Sequence, residues 1–97
     1  MYTKRPHEVV FEWDEAKRLA NLSRRGLDFT DADIVFDGRL VTTAPSRRNN
    51  EERFVSTAEI DGKLYTVVWI WRGENQRIIS FRRASHGEER AYRHIFG

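Results

Sequence analysis

The stretch RFVSTAEIDGKLYTVVWIW, residues 53–71, decides the fold because Asp61 and Gly62 separate two runs rich in β-branched and aromatic residues. An Asp-Gly pair in this setting predicts a β-hairpin with a two-residue turn. Such a turn pairs Ile60 with Lys63 and Phe54 with Trp69, and paired residues share a face of the sheet. The first face then carries Val55, Leu64, Val68 and Ile70, and the second carries Ser56, Tyr65, Trp69 and Trp71.

A third strand is predicted over residues 77–84, RIISFRRA, after a polar turn at residues 72–76. A turn of either two or four residues places Ile79 and Phe81 on the first face, with Ser80 and Arg82 on the second. We therefore predict that the first face packs in the core. The second face is predicted to be amphipathic, aromatic and basic.

Helix signals lie on both sides of these strands. Asp14 is a predicted N-cap for a helix from Glu15 to Arg25 that ends at Gly26, with a narrow apolar face of Ala16, Leu19 and Ala20. A second, short helix is predicted from Thr30 to Gly38. Ser85 and Glu88 have the spacing of a capping box, which predicts a C-terminal helix.

The remaining segments complete an α+β domain. Residues 8–13 and 40–43 are predicted to be short strands, and the polar, periodless residues 44–52 are predicted to be a loop. The chain is thus expected to form one domain over residues 1–97, with residues 1–7 as a flexible tail. It contains an antiparallel meander of three to four strands, a short N-terminal strand, two N-terminal helices and a C-terminal helix.

Composition excludes several kinds of chemistry. The 97 residues include no cysteine, which excludes disulfides, thiolate zinc sites and cysteine nucleophiles. No phosphate-binding Gly-rich loop, metal-binding histidine pair or serine-hydrolase elbow occurs, so we predict neither a metal nor a cofactor. No run approaches the roughly 20 apolar residues of a membrane span, and we expect no membrane association and a cytoplasmic location.

Positive charge is concentrated near the C-terminal end. Residues 72–93 contain six arginines and three glutamates, although the whole chain has a net charge of only +2. Arginine binds phosphate and carboxylate groups in a bidentate manner. Together with Tyr65, Trp69 and Trp71, Arg82 could stack bases and neutralise phosphates; alternatively, the tryptophans belong to the core or are covered by a partner.

Several segments together resemble the BrnT family of bacterial toxins. They are FEWDEAK at residues 11–17, Asn21, RRGLDF at 24–29, VFD at 35–37, ERF at 52–54, Arg72-Gly73, RIISFRRA at 77–84, Glu89-Arg90 and Tyr92. The resemblance implies a ribonuclease toxin of a type II toxin–antitoxin pair with a RelE-like fold. It also implies a BrnA-like antitoxin with a ribbon-helix-helix domain, and a toxin–antitoxin complex that binds operator DNA.

A set of candidate site residues follows from this resemblance. We expect Arg82 and Arg83 to clamp the phosphate of an RNA substrate, and either Glu52 or His86 to transfer protons. Further RNA contacts are predicted at Arg53, Arg77, Trp69, Trp13, Lys17 and Arg25. The predicted pairing puts Arg53 on the core side, which requires that it lie at a strand end or that the register be wrong.

One position departs from the family pattern. Members of the family usually have Lys-His-Gly where this chain has Arg24-Arg25-Gly26. Arg25 cannot accept a proton as a histidine can, because its guanidinium stays protonated. Either this position only binds phosphate, or the protein is a weakened enzyme. Two alternatives stand beside a ribonuclease: a module that binds nucleic acid without cutting it, which the lack of this histidine favours, and an aromatic and basic surface that chiefly binds a protein partner.

Overall fold

The structure, a computed structural model, describes residues 9–97, and the tail predicted at residues 1–7 lies outside them. In chain order the elements are β1 (Phe11–Trp13), α1 (Glu15–Arg25), a 3₁₀ helix (Phe29–Phe36), β2 (Val41–Arg48), β3 (Glu51–Ile60), β4 (Lys63–Arg72), β5 (Asn75–Arg83) and α2 (His86–Phe96). This arrangement confirms the α+β class. None of the helices within residues 9–97 is long and apolar enough to cross a membrane.

The strands form one mixed sheet in the order β1-β5-β4-β3-β2. Strands β2 to β5 make an antiparallel meander, and β1 adds to β5 in parallel, with Trp13 opposite Ile78. The predicted hairpin register is confirmed, since Ile60 pairs with Lys63 and Phe54 with Trp69. Asp61 and Gly62 form the turn with φ angles of 51° and 80°, the left-handed backbone that Asp-Gly turns supply.

The loop predicted at residues 44–52 is wrong. Strand β2 runs through to Arg48, and β3 begins at Glu51, so only Asn49 and Asn50 form the turn. Their φ angles are 54° and 62°, a conformation that asparagine tolerates better than most residues. The tight turn makes Ser46 and Arg53 cross-strand partners and so extends the sheet into a basic segment.

The assignment of the two sheet faces is also wrong. The core forms on the face of Ala58, Val67 and Trp69, which we call the core face, where it packs against Phe29, Ala32 and Val35 of the 3₁₀ helix. These three helical residues recur every third position, the period of a 3₁₀ helix. Trp69 is only 6% exposed, and its indole N–H donates to Ser56 Oγ at 2.9 Å. Burying this polar group therefore costs little, and the aromatic face becomes the interior.

A β-bulge in β5 changes which side chains share a face. Val68 pairs with Ser80, but the next residue, Trp69, pairs with Ile78, so Ile79 is the extra residue of the bulge. The prediction that Ile79 and Phe81 lie on the same face is therefore wrong. Ile78 and Phe81 both pack in the core, while Ile79 and Ser80 both lie on the opposite face, which we call the cleft face.

Helix α1 has the predicted bounds but not the predicted buried side. Asp14 caps it by accepting from the Lys17 amide at 3.1 Å. Leu19, predicted to be buried, is 52% exposed, and Asn21 is 5% exposed. The Asn21 side chain donates to Phe81 O at 2.9 Å and accepts from Phe81 N at 3.4 Å. These bonds dock α1 along the edge of β5 beyond the point where β1 ends.

Helix α2 begins with the predicted capping box. Ser85 Oγ accepts from the Glu88 amide at 3.2 Å, and Glu88 Oε1 accepts from the Ser85 amide at 2.8 Å. Tyr92 is buried, and its hydroxyl donates to Leu40 O at 3.3 Å. Arg93 pairs with Glu59 of β3 at 3.2 Å. Helix α2 thus anchors at the β3 side of the sheet and leaves part of the cleft face uncovered.

Candidate functional site

The uncovered part of the cleft face forms a basic cleft made of two adjoining cavities of about 270 and about 310 Å³. The two cavities share a wall of Arg25, Arg48, Arg53, Ile79 and Ser80. The first cavity adds Ser46, Val55, Val68 and Arg82. The second adds Lys17, Ala20, Asn21 and Arg24. Among the described residues that line it, six are cationic and none is a carboxylate.

Three parts of the fold bring these side chains together. The β2–β3 hairpin places Ser46, Arg48 and Arg53 on one face, because Ser46 is opposite Arg53 and Arg48 is opposite Glu51. Docking of α1 on the edge of β5 brings the last helical turn, with Arg25, to the other side of the cleft. The bulge at Ile79 turns the Ser80 hydroxyl into the space between them.

Two of the cleft arginines are held by carboxylates. Arg53 Nε lies 2.9 Å from Glu51 Oε1, and Arg82 forms a bidentate pair with Glu88 at 2.7 and 2.9 Å. Within residues 9–97, the side chains of Lys17, Arg24, Arg25 and Arg48 form no ion pair with a carboxylate. A concave surface lined by one sign of charge attracts a polyanion, and arginine forks match the geometry of phosphate.

Glu88 is stabilised as a carboxylate. Its hydrogen bonds from Arg82, together with those from the Ser85 amide and the Thr66 hydroxyl, outweigh partial burial and lower its pKa to about 2. The same pairing raises the pKa of Arg82. At neutral pH Glu88 is therefore a weak base, and its chemical role is to hold a cation.

Four of the predicted site residues meet at this cleft: Lys17, Arg25, Arg53 and Arg82. The predicted pairing had put Arg53 on the core side of the sheet. That pairing is correct, but the face that carries Arg53 and Val55 is the open face and not the core face. Arg83 projects from the other face, where its guanidinium lies 5.3 Å from the centre of the Tyr65 ring. Arg82 and Arg83 therefore do not converge on one phosphate.

Neither predicted proton-transfer group lines the cleft. Glu52 is exposed on the face opposite Arg53, across from Arg47 of β2. His86 is exposed at the first residue of α2. Glu51, two residues before Arg53 on the same face of β3, forms an ion pair with it at 2.9 Å.

The other predicted contacts also lie outside the cleft. Arg77 is held by Glu12 of β1 at 2.7 Å. Hydrogen bonds from the Asn75 amide and then from Arg77 lower the pKa of Glu12. Trp13 is half-buried against the core. Trp69 stacks on Phe54 with ring centres 4.8 Å apart inside the core. The expectation that Trp69 stacks an RNA base is therefore wrong, because its ring faces are covered.

Sequence reasoning missed Ser46, Arg48, Glu51 and Ser80. The first three lie in or next to the segment assigned to a loop, and the signal that could have identified their strands is Asn49-Asn50, a pair suited to a left-handed turn. The position of Ser80 on the cleft face depends on the bulge at Ile79, and no glycine or other bulge-forming residue in the sequence marks that bulge. Within residues 9–97, no group of three or more histidine and acidic side chains is arranged to hold a metal ion.

The chemistry available in the cleft is electrostatic. Arginines surround two hydroxyl groups above an apolar floor of Val55, Val68 and Ile79. Such an arrangement can bind a phosphodiester and stabilise the extra negative charge that develops when the phosphorus becomes pentacoordinate. Aromatic side chains are absent from the cleft lining within the described chain, so base stacking does not contribute there.

The chain matches the model of a known protein family. A family model described as "Ribonuclease toxin, BrnT, of type II toxin-antitoxin system" matches residues 13–88. The matched segment contains every residue that lines the basic cleft, and also Glu51 and Glu88. Comparison with curated proteins gives no match.

Proposed function

The chain belongs to the BrnT family of ribonuclease toxins of type II toxin–antitoxin systems, and from this premise we propose that the basic cleft binds and cleaves RNA. The observation that supports this assignment is the convergence of Arg25, Arg48, Arg53 and Arg82 on one concave surface. Cleavage of cytoplasmic RNA would inhibit translation and growth. The RelE-like arrangement implied by the resemblance is part of the same proposal.

The mechanism we propose uses the 2′-hydroxyl of the RNA as the nucleophile. The 2′-oxygen loses its proton and bonds to phosphorus, the bond from phosphorus to the 5′-oxygen breaks, and that oxygen takes up a proton. Arg53 and Arg82 stabilise the phosphorane charge from within the first cavity. These steps need no metal ion, so cleavage should continue in the presence of EDTA.

Glu51 is the proton acceptor best placed for this reaction. Its carboxylate lies on the cleft face, 2.9 Å from Arg53 Nε, whereas Glu52 points to the other face. A base must reach the proton that it removes, so geometry favours Glu51 over Glu52 and His86. Arg25 cannot be a base, and we assign it to phosphate binding.

An RNA oligonucleotide labelled at its 5′ end tests the proposal. Wild-type protein with EDTA should yield a shorter labelled product that ends in a 2′,3′-cyclic phosphate, and a strand with a single 2′-deoxynucleotide at the cut site should resist cleavage. Arg82→Ala should lower the cleavage rate sharply, to a slow reaction that is measurable only with protein in excess, and should relieve growth inhibition on induced expression. If the protein binds this RNA without cutting it, it is a non-catalytic binding module. This is the second candidate function, because no histidine lines the cleft among the described residues.

We also propose that a BrnA-like ribbon-helix-helix antitoxin neutralises the protein by covering the basic cleft, and that the complex binds operator DNA. The exposed Arg25 and Arg48 would pair with acidic residues of the antitoxin. Co-expression with the adjacent antitoxin should block RNA binding. If Arg25→Glu together with Arg48→Glu leaves the affinity for the antitoxin unchanged, the antitoxin binds elsewhere.

A further inference from the structure

A row of polar side chains crosses the cleft face beneath the start of α2. Thr57 of β3 is opposite Thr66 of β4, and Thr66 is opposite Arg82 of β5. The two threonine hydroxyls lie 2.8 Å apart, and Thr66 Oγ1 donates to Glu88 Oε1 at 3.0 Å. Because Thr66 has a single hydroxyl proton, Thr57 must donate to Thr66. Hydrogen bonds therefore run in one direction, from the Thr57 hydroxyl to the Thr66 hydroxyl and from there to the Glu88 carboxylate.

Glu88 is the point where this chain and Arg82 meet. Oε1 accepts from Thr66, from the Ser85 amide at 2.8 Å and from Arg82 Nη1 at 2.7 Å, while Oε2 accepts from Arg82 Nη2 at 2.9 Å. The side chains of Thr57 and Thr66 are almost fully buried. A fully bonded carboxylate on buried supports has little freedom to move, so it fixes the guanidinium bound to it.

Arg82 nevertheless remains available to a ligand. Its side chain lines the first cavity of the basic cleft, and within residues 9–97 its Nε forms no hydrogen bond. The side of the guanidinium turned from Glu88 can therefore bind a phosphate oxygen while the other side stays held. A cation that is already oriented loses less conformational freedom when the transition state forms.

We propose that Glu88, supported by Thr66 and Thr57, is the positioning residue that orients Arg82 toward the scissile phosphate. This inference rests on the proposed ribonuclease function. It goes beyond that function because Glu88 would act without touching RNA, through Arg82 alone. Its capping of α2 would then be a second, separable role.

Variants can separate the two roles. Ser85→Ala removes the hydroxyl that caps α2 but keeps the Ser85 amide and the contacts of Glu88 with Arg82 and Thr66. Glu88→Gln removes the charge that pairs with Arg82. Thr66→Val removes the hydroxyl support, and Thr66→Ser keeps it. Cleavage of a short RNA is measured under single-turnover conditions with protein in excess, so that slow variants remain measurable, and each melting temperature is recorded.

The expected result is a fall of about 10-fold to about 100-fold in the maximal cleavage rate of Glu88→Gln, with little change in the protein concentration needed for half-saturation. Thr66→Val should show a smaller fall in the same direction, and Thr66→Ser should restore the rate. Ser85→Ala should lower the melting temperature and keep the cleavage rate within about twofold of wild type. In an Arg82→Ala background, Glu88→Gln should cause no further loss of rate.

Two results would overturn the inference alone: a wild-type cleavage rate in Glu88→Gln, or an equal fold-loss from Glu88→Gln with and without Arg82. If Glu88→Gln does not fold, equal cleavage rates for Thr66→Val and Thr66→Ser overturn it. Absence of RNA cleavage by the wild-type protein would instead overturn the proposed function, and the positioning role with it.

Discussion

Glu51 and Arg53, which lie on the same face of β3, form an ion pair at 2.9 Å beside the basic cleft, while Glu52 between them faces the other way. These adjacent glutamates form a matched pair for mutagenesis. If Glu51 accepts the 2′-hydroxyl proton, Glu51→Gln should lower the cleavage rate by about 100-fold or more, since general-base catalysis contributes about 10²–10⁴-fold. Glu52→Gln should cleave at the wild-type rate. Equal rates for the two variants would remove Glu51 from the mechanism.

Phosphate binding by Arg48 predicts a change in salt dependence. Arg48→Ala should weaken RNA binding and reduce the slope of log affinity against log salt by about 0.7, the amount expected for one phosphate contact with a single strand. Lys63→Ala is the matched control, because Lys63 is exposed at the β3–β4 turn and does not line the cleft. The measurement is a titration of labelled RNA at several salt concentrations. A change of equal size in Lys63→Ala would mean that the cleft does not direct binding.

Replacement of the buried polar residue Asn21 should destabilise the fold strongly. Asn21→Ala removes the bonds to Phe81 N, Phe81 O and Leu27 O, and leaves backbone groups at the edge of β5 without partners. We expect a loss of about 2–4 kcal/mol in the free energy of unfolding. The exposed Leu19→Ala in the same helix should cost less than about 0.5 kcal/mol. Urea unfolding measures both, and a larger loss in Leu19→Ala would contradict the docking of α1 through Asn21.

Acid should weaken the fold partly through Glu88. Its pKa is lowered from 4.5 to about 2 in the folded protein, so the unfolded chain binds this proton more readily. The stabilisation is therefore complete above about pH 5.5 and is lost as the pH falls toward about 2. In Glu88→Gln, the loss of stability between these two pH values should be smaller than in wild type. Urea midpoints at several pH values test this, and identical pH profiles would contradict it.

The register of the central hairpin could be predicted from sequence because Asp61-Gly62 allows only a tight turn. Which face of the sheet is buried could not be predicted from sequence. Both faces of β4 carry large apolar residues, and the buried face is determined by the helices that pack against the sheet. The hydroxyl of Ser56 satisfies the Trp69 indole inside the core, a contact that the sequence does not reveal. The bulge at Ile79 shifts the phase of β5 without any local sequence mark.

The site was predictable to a similar extent. Lys17, Arg25, Arg53 and Arg82, each expected to contact RNA, line one cleft. Strand alternation had placed Arg53 on the core side and Arg82 on the open side. The bulge at Ile79 and the burial of the other sheet face bring these two arginines together, and both are tertiary effects. Arg48 was missed because the Asn49-Asn50 turn was read as part of a loop. Arg77 and Arg83 were expected to face the substrate, but Glu12 and the Tyr65 ring hold them elsewhere, and these contacts depend on tertiary structure.

The parallel pairing of β1 with β5 predicts an order in which this protein assembles. The meander from β2 to β5 joins neighbours along the chain, whereas Phe11 meets Gln76 only after most of the chain has been made. Contacts between distant segments close later than local ones, so β1 and α1 should dock last. Pulse-labelled hydrogen exchange during refolding should therefore protect amides of β3 and β4 before those of α1. A nascent chain would acquire a complete basic cleft only once β5 has emerged from the ribosome, because Ile79, Ser80 and Arg82 form one wall of it.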